Sequence, residues 1–306
     1  HDMRTPLNAI QGLTELARQH LDDREKLSGY LEKIGYSSRQ LLELVNDILD
    51  MSRMEQGKVV LDNQQFNLAE CVSLCAEAFR PQAEAEGKTL DVAIQVRQST
   101  VLGDSFRISQ IMNNLISNAF KFTGEGDSVC VSLTQFERDE HAKYQIVVRD
   151  TGSGMSQDFL PQLFEPYARE TRFGVRQVAG TGLGMPIVKN LVTQMSGEIQ
   201  VESAPDQGTT FTIVIPFTAV DAPLPGREIP PDRAAFSLEG RRILLAEDNM
   251  VNMEIATEIL AMNGVEVVQA WNGQEAVDCF HAAPPFHFDA ILMDMQMPVM
   301  DGCEAA

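Results

Sequence analysis

Residues 110–122 read QIMNNLISNAFKF. Steps of four, four and three align Gln110, Asn114, Asn118 and Lys121 on one face of a helix, while Ile111, Leu115, Ala119 and Phe122 line the other. An asparagine carbonyl is a hard oxygen donor suited to Mg²⁺, and a lysine ammonium is a point charge suited to phosphate. Such a row standing alone reads as solvated surface.

Two glycine segments downstream change that reading. RDTGSGM brings Asp150, Gly152 and Gly154, and AGTGLGM brings Gly180, Thr181, Gly182, Leu183 and Gly184. Glycines let bare backbone approach a ligand. The second loop runs into PIVKNLVTQM, a helix whose N-terminal amides would face an anion. The acid leading the first loop can accept a hydrogen bond from the exocyclic amine of adenine. Rival phosphate motifs fail: GKT at 87–89 has Gln82 where a P-loop needs glycine, and the HRD and DFG set of Ser/Thr and Tyr kinases is absent.

Around this helix, DVAIQV, SVCVSLTQF, YQIVVRD, GEIQVES and TTFTIVIPF are strand-like, so residues 57–218 read as a mixed α/β domain with grouped strands. Residues 1–56 read instead as two helices joined by the polar DDREK. Met3, Leu7, Ile10, Ala17 and Leu21 pattern the first helix; Leu31, Ile34, Leu41, Val45 and Ile48 pattern the second. One hairpin buries such stripes poorly, so a second copy is expected to complete a four-helix bundle, making a homodimer. Residues 219–240 are a proline-rich linker. From 241 to 306, RRILLAED, VEVVQAW and DAILMDM alternate with two helices, the opening half of a doubly wound sheet, as if cut from something longer.

The net charge of −20 over 306 residues disfavours nucleic acid as a partner. No apolar run approaches a membrane span, so no membrane contact is expected of this segment, although a parent protein could be anchored upstream. Five cysteines without paired spacing suit a reducing cytoplasm. Cys71 and Cys75 share a helix face and read as core packing. His281 and His287 lack companion ligands and make a poor zinc site.

HDMRTPLNAI, NNLISNAFKFT, DTGSGM, LFEPY and GTGLGM, in that order, resemble the H, N, G1, F and G2 boxes of two-component sensor histidine kinases, with a Bergerat-type ATP-binding domain. Residues 241–306 resemble part of a flavodoxin-like response-regulator receiver. The resemblance implies a hybrid kinase that autophosphorylates from ATP and Mg²⁺, relays phosphate to an aspartate, and can run in reverse as a phosphatase. It makes His1 the phosphoacceptor, Asp2 its acid partner and Thr5 the residue positioning water. Pro6 should bend that helix. Asn118 becomes the principal Mg²⁺ ligand, with Asn114 beside it and Lys121 on phosphate. Asp150 is implied to anchor adenine with help from Thr209, and Phe164 to open a mobile ATP lid that ends at Gly180. In the receiver, Glu247 and Asp248 would hold Mg²⁺ with Asp294, the second phosphoacceptor. A downstream receiver or histidine phosphotransfer protein is the implied partner. Topoisomerase and mismatch-repair ATPases share this nucleotide domain, but the His-Asp hairpin argues against them. A nucleotide-binding scaffold without turnover is the other alternative.

Overall fold

The computed structural model describes residues 3–55, 61–136, 141–170, 181–220 and 238–306, without the side chains of 43, 53–55 and 141. They fall into two compact units, residues 1–227 and 228–306.

The first unit opens with a helical hairpin, α1 (Arg4–Gln19) and α2 (Arg24–Glu55). The Asp23 carboxylate accepts the Lys26 amide at 3.1 Å and pairs with its ammonium at 3.0 Å. That cap draws Arg24–Lys26 into α2, so the joint is shorter than DDREK. Pro6 is buried in the first turn of the described α1. The apolar residues of α2 divide into two stripes. Ile34, Leu41, Leu44 and Ile48 are half-buried, whereas Leu31, Leu42, Val45 and Leu49 are exposed on the single chain.

A seven-stranded sheet follows, ordered β1-β3-β7-β5-β4-β2, with β6 also paired to β7. Its strands are β1 (Gln64–Asn67), β2 (Thr89–Gln95), β3 (Thr100–Gly103), β4 (Ser128–Gln135), β5 (His141–Asp150), β6 (Glu198–Ser203) and β7 (Thr209–Ala219). Among the described residues of this sheet, only β2 and β4 pair in parallel. Alternation buries Val129, Val131 and Leu133 of β4 and Phe211, Ile213, Ile215 and Phe217 of β7 against helices on one face. Those helices are α3 (Leu68–Glu77), α5 (Ser105–Phe122) and α6 (Gly184–Gln194); the short α4 (Arg80–Ala85) packs near β2. In α5 the buried face runs through Ile108, Ile111, Met112, Leu115, Ile116, Ala119 and Phe120. Phe122, expected on that face, is exposed, because the helix ends there and Phe120 fills the core, stacked on Phe79 at 5.4 Å.

The second unit is a parallel sheet ordered β10-β8-β9, from β8 (Arg242–Ala246), β9 (Glu266–Ala270) and β10 (Ala290–Met293). With it go α7 (Met250–Met262), α8 (Gly273–Ala282) and α9 (Gly302–Ala305), each opened by a side-chain cap from Asn249, Asn272 and Asp301. Ile243 and Leu245 of the central strand are buried; Ile291 and Leu292 of edge strand β10 are exposed. Among the described residues no helix is long and apolar enough to cross a membrane.

Candidate functional site

Asp150 ends β5, registered between Val129 of β4 and Thr209 of β7. Its side chain is 6% exposed, and Oδ1 accepts the amides of Gly152 at 2.9 Å and Thr209 at 3.3 Å. Burial pushes its carboxyl up to about 6, against those two hydrogen bonds, which pull it down; the Asp127 charge raises it further. A carboxylate held by two amides at a strand end keeps its second oxygen for an outside donor.

Bare backbone builds the loop in front of it. A Cβ on Gly152 would stand 2.2 Å from the Phe122 carbonyl oxygen, and one on Gly154 would stand 1.9 Å from that of Ala204. Thr209 is buried beside Asp150, its hydroxyl 2.9 Å from that of Ser203, which donates to the Gly208 carbonyl and accepts the Met155 amide. Ser203 knits both sides of the pocket, and nothing in a strand-end serine's sequence context marks it.

Across α5, Asn114 donates to the Gln110 carbonyl at 3.0 Å and aims Oδ1 at Gly184, where a Cβ would lie 2.7 Å away. Asn118 and Lys121 make no hydrogen bond or ion pair among the described residues and remain open to a ligand. Gln110 is not part of that open row: it accepts from Arg107 at 2.8 Å and donates to Asp50 of α2 at 2.6 Å. Arg107 also pairs with Asp50 at 3.4 Å, and Thr181 of the glycine loop donates to Asp47 at 2.9 Å. The hairpin therefore grips the nucleotide domain at two points one helical turn apart. This grip was not legible in the sequence, since its partners lie up to 134 positions apart.

Gly182 adopts φ +72°, and Thr181 Oγ1 accepts the Leu183 amide at 3.0 Å, so the loop turns into α6 with no side-chain cap on its first turn among the described residues. Phe164 is half-buried, with the Lys189 ammonium 5.1 Å over its ring. His1, Asp2 and Gly180, and residues 171–180 of the expected lid, lie outside the described residues, as do 221–237 of the expected linker. Thr5 is exposed in the first turn of α1.

In the second unit Glu247, Asp248 and Asp294 bring carboxylate oxygens within 4.8 Å of one another. Parallel pairing of β8 with β10 puts both strand ends at one edge. Glu247 accepts the Asn249 amide at 3.1 Å and Asn252 Nδ2 at 3.2 Å, which fixes its direction. Three carboxylates at this spacing fit a hard divalent cation.

A phosphoacceptor-type hairpin joined to an ATPase-type sandwich is the architecture of a sensor kinase core. Residues 1–57 match the His Kinase A (phospho-acceptor) domain, 103–219 the histidine kinase-, DNA gyrase B- and HSP90-like ATPase, and 243–306 the response regulator receiver domain. With a receiver added, the chain belongs to the hybrid sensor histidine kinases. It is 36% identical to the autoinducer 2 sensor kinase/phosphatase LuxQ of Vibrio vulnificus, over 100% of this chain and 35% of LuxQ. To the sensor histidine kinase GacS of Pseudomonas protegens it is 38% identical, over 87% of this chain and 28% of GacS. Full-length ShkA, solved in complex with AMPPNP, superposes with a TM-score of 0.55 at 26% identity, covering 96% of this chain and 63% of ShkA. The chain spans about a third of the length of the curated relatives it matches.

Proposed function

We propose that this chain is the catalytic core of an ATP-dependent protein-histidine kinase in a phosphorelay. The observation that carries it is the buried Asp150, held by the Gly152 and Thr209 amides in the same unit as a phosphoacceptor-type hairpin. Asp150 accepts the adenine amine, and the bare backbone at Gly152 and Gly154 admits the base. Lys121 and the first-turn amides of α6 face the phosphates. Asn118, with Asn114 beside it, holds Mg²⁺, which neutralises phosphate charge when bound. A ring nitrogen of His1 attacks the γ-phosphorus; the N–P bond forms as the bond to the ADP oxygen breaks, and Asp2 holds the proton on the other nitrogen. Thr5 orients water in the reverse, phosphatase direction.

Two copies pair through the exposed α2 stripe of Leu31, Leu42, Val45 and Leu49, which extends the four-helix bundle reading. The phosphoryl group passes on to a receiver carboxylate, Asp294 or its equivalent in a separate receiver or phosphotransfer protein, with Glu247 and Asp248 sharing the cation.

Incubation with Mg²⁺ and γ-labelled ATP tests the reading. An acid-labile, base-stable label is expected on wild-type chain and none on His1→Gln, which should still bind nucleotide. Label persisting in His1→Gln overturns the assignment, and nucleotide binding without any label in wild type identifies a scaffold without turnover.

A further inference from the structure

Lys88, the lysine of GKT at 87–89, is turned into the nucleotide domain, with a side chain only 5% exposed. A buried ammonium needs partners, and three converge on this one. The Phe120 carbonyl of α5 accepts from Nζ at 2.7 Å, Glu86 pairs with it at 2.5 Å, and the Phe120 ring centroid lies 5.5 Å away. The root of the side chain is fixed as well. The Lys88 amide donates to the Ala83 carbonyl at 2.9 Å; on either side the Gly87 carbonyl accepts the Gly126 amide and the Thr89 amide donates to the Asp127 carbonyl, both at 2.9 Å.

Phe120 stands in the last turn of α5, one residue before Lys121 and two after Asn118. The final carbonyls of a helix have no partner within it and carry its partial negative charge. Here they are held from three directions: Ala119 by the Thr123 hydroxyl at 2.8 Å, Phe120 by Lys88, and Phe122 by the Ser153 amide of the glycine loop at 3.0 Å. Thr123, the C-cap residue, is extended rather than left-handed, so the usual backbone closure of a helix end does not operate. A cation behind this turn satisfies a carbonyl and offsets the helix-end charge that would oppose phosphate beside Lys121.

We propose that Lys88 is a positioning residue of the nucleotide site: its buried ammonium caps the carboxyl end of α5 and holds the turn bearing Asn118 and Lys121 against the Asp150 loop. The inference rests on the reading that Asn118 and Lys121 face Mg²⁺ and phosphate. Lys88 itself touches no nucleotide and acts through the Phe120 carbonyl.

Mg-ATP and adenosine, titrated separately into the 306-residue chain, test it. The base is held by Asp150 at the strand ends, so adenosine reports the pocket alone, whereas Mg-ATP adds what the last turn of α5 supplies. Lys88→Met should weaken Mg-ATP about tenfold, as loss of an outer partner of a metal site does, and leave adenosine affinity, read by ligand-observed NMR, unchanged. Glu86→Gln removes the ion pair but leaves the ammonium on the carbonyl, so both affinities should match wild type. Thr123→Val deletes the other donor on the Phe120 carbonyl, 3.3 Å away, and keeps the idea testable if Lys88→Met does not fold. A neutral hydrogen bond is about half as strong as a charge-assisted one, so that variant should weaken Mg-ATP about threefold, again sparing adenosine. Equal losses for the two ligands, unchanged Mg-ATP affinity in Lys88→Met or Thr123→Val, or a Glu86→Gln loss equal to that of Lys88→Met each overturns the proposal. Failure of the underlying reading looks different: wild-type chain would bind no Mg-ATP, or Lys121→Ala would keep its full affinity, and the inference would fall with it.

Discussion

Replacing Asp150 with asparagine should stabilise the nucleotide-free protein while damaging nucleotide binding. The carboxyl midpoint rises from 3.8 to about 6 because the side chain is buried. An acid that binds its proton more tightly when folded makes the folded state lose stability as pH climbs from 3.8 through about 6, with the full loss present at neutral pH. About two pH units at 1.36 kcal/mol each amount to roughly 3 kcal/mol. Asparagine keeps the acceptor for Gly152 and Thr209 without the charge. At pH 7.5 the ATP-binding unit of Asp150→Asn should therefore melt on the order of 6–12 °C above wild type, as an upper figure. The gap should shrink to roughly 0.5 kcal/mol near pH 4, where Asp150 is protonated in the folded state and about half protonated in the unfolded chain. With Mg-ATP present the order reverses: a hydrogen bond to a charged acceptor is worth about 1.5–3 kcal/mol, so the variant should bind about 10–150-fold more weakly. Calorimetric scans from pH 4 to 8, with and without nucleotide, read both effects. Equal melting across that range, or a variant less stable throughout, refutes the burial argument.

Glutamate at Leu42, Val45 and Leu49 together should cost several kcal/mol of association and give monomers in sedimentation; Ile48 is the wrong target, since it packs against the core of the nucleotide domain. Asp50→Ala leaves Arg107 and Gln110 without their hairpin partner, and faster amide exchange at the end of α2 is expected, with the sheet unchanged. Gly152→Ala forces a methyl group against the Phe122 carbonyl and should lower the melting temperature and abolish nucleotide binding together. Asp248→Asn should weaken Mg²⁺ binding by the second unit about tenfold in titration calorimetry.

What the sequence disclosed follows from periodicity. The 3.6-residue repeat placed Asn114 and Asn118 on one face of α5, and the two-residue repeat marked β4, β5 and β7, because long elements average out local exceptions. β1 and β3, four residues each, have too few alternations to register. At the end of α5 the spacing points to Phe122 whereas packing takes Phe120, because the face there is no longer fixed by a following turn. In α2 the sequence merged two stripes, because Ile34 and Leu31 are equally apolar and only packing separates the side facing α1 from the side left open. Asp47, Asp50 and Ser203 are not legible in the sequence because each acts through partners chosen by tertiary contact, and a lone acid or serine carries no spacing signal.

Asp47 and Asp50 also make α2 a crank. Both project from one side of the helix, one holding the glycine loop and the other holding α5. A carboxylate tip rides about 6 Å from the helix axis, so a twist of 30° sweeps it through about 3 Å, as far as the hydrogen bonds of 2.9 and 2.6 Å themselves reach. Torque applied anywhere along the rod is thus delivered to the nucleotide loop and the amide-bearing helix in the same stroke, with no change in either helix's length.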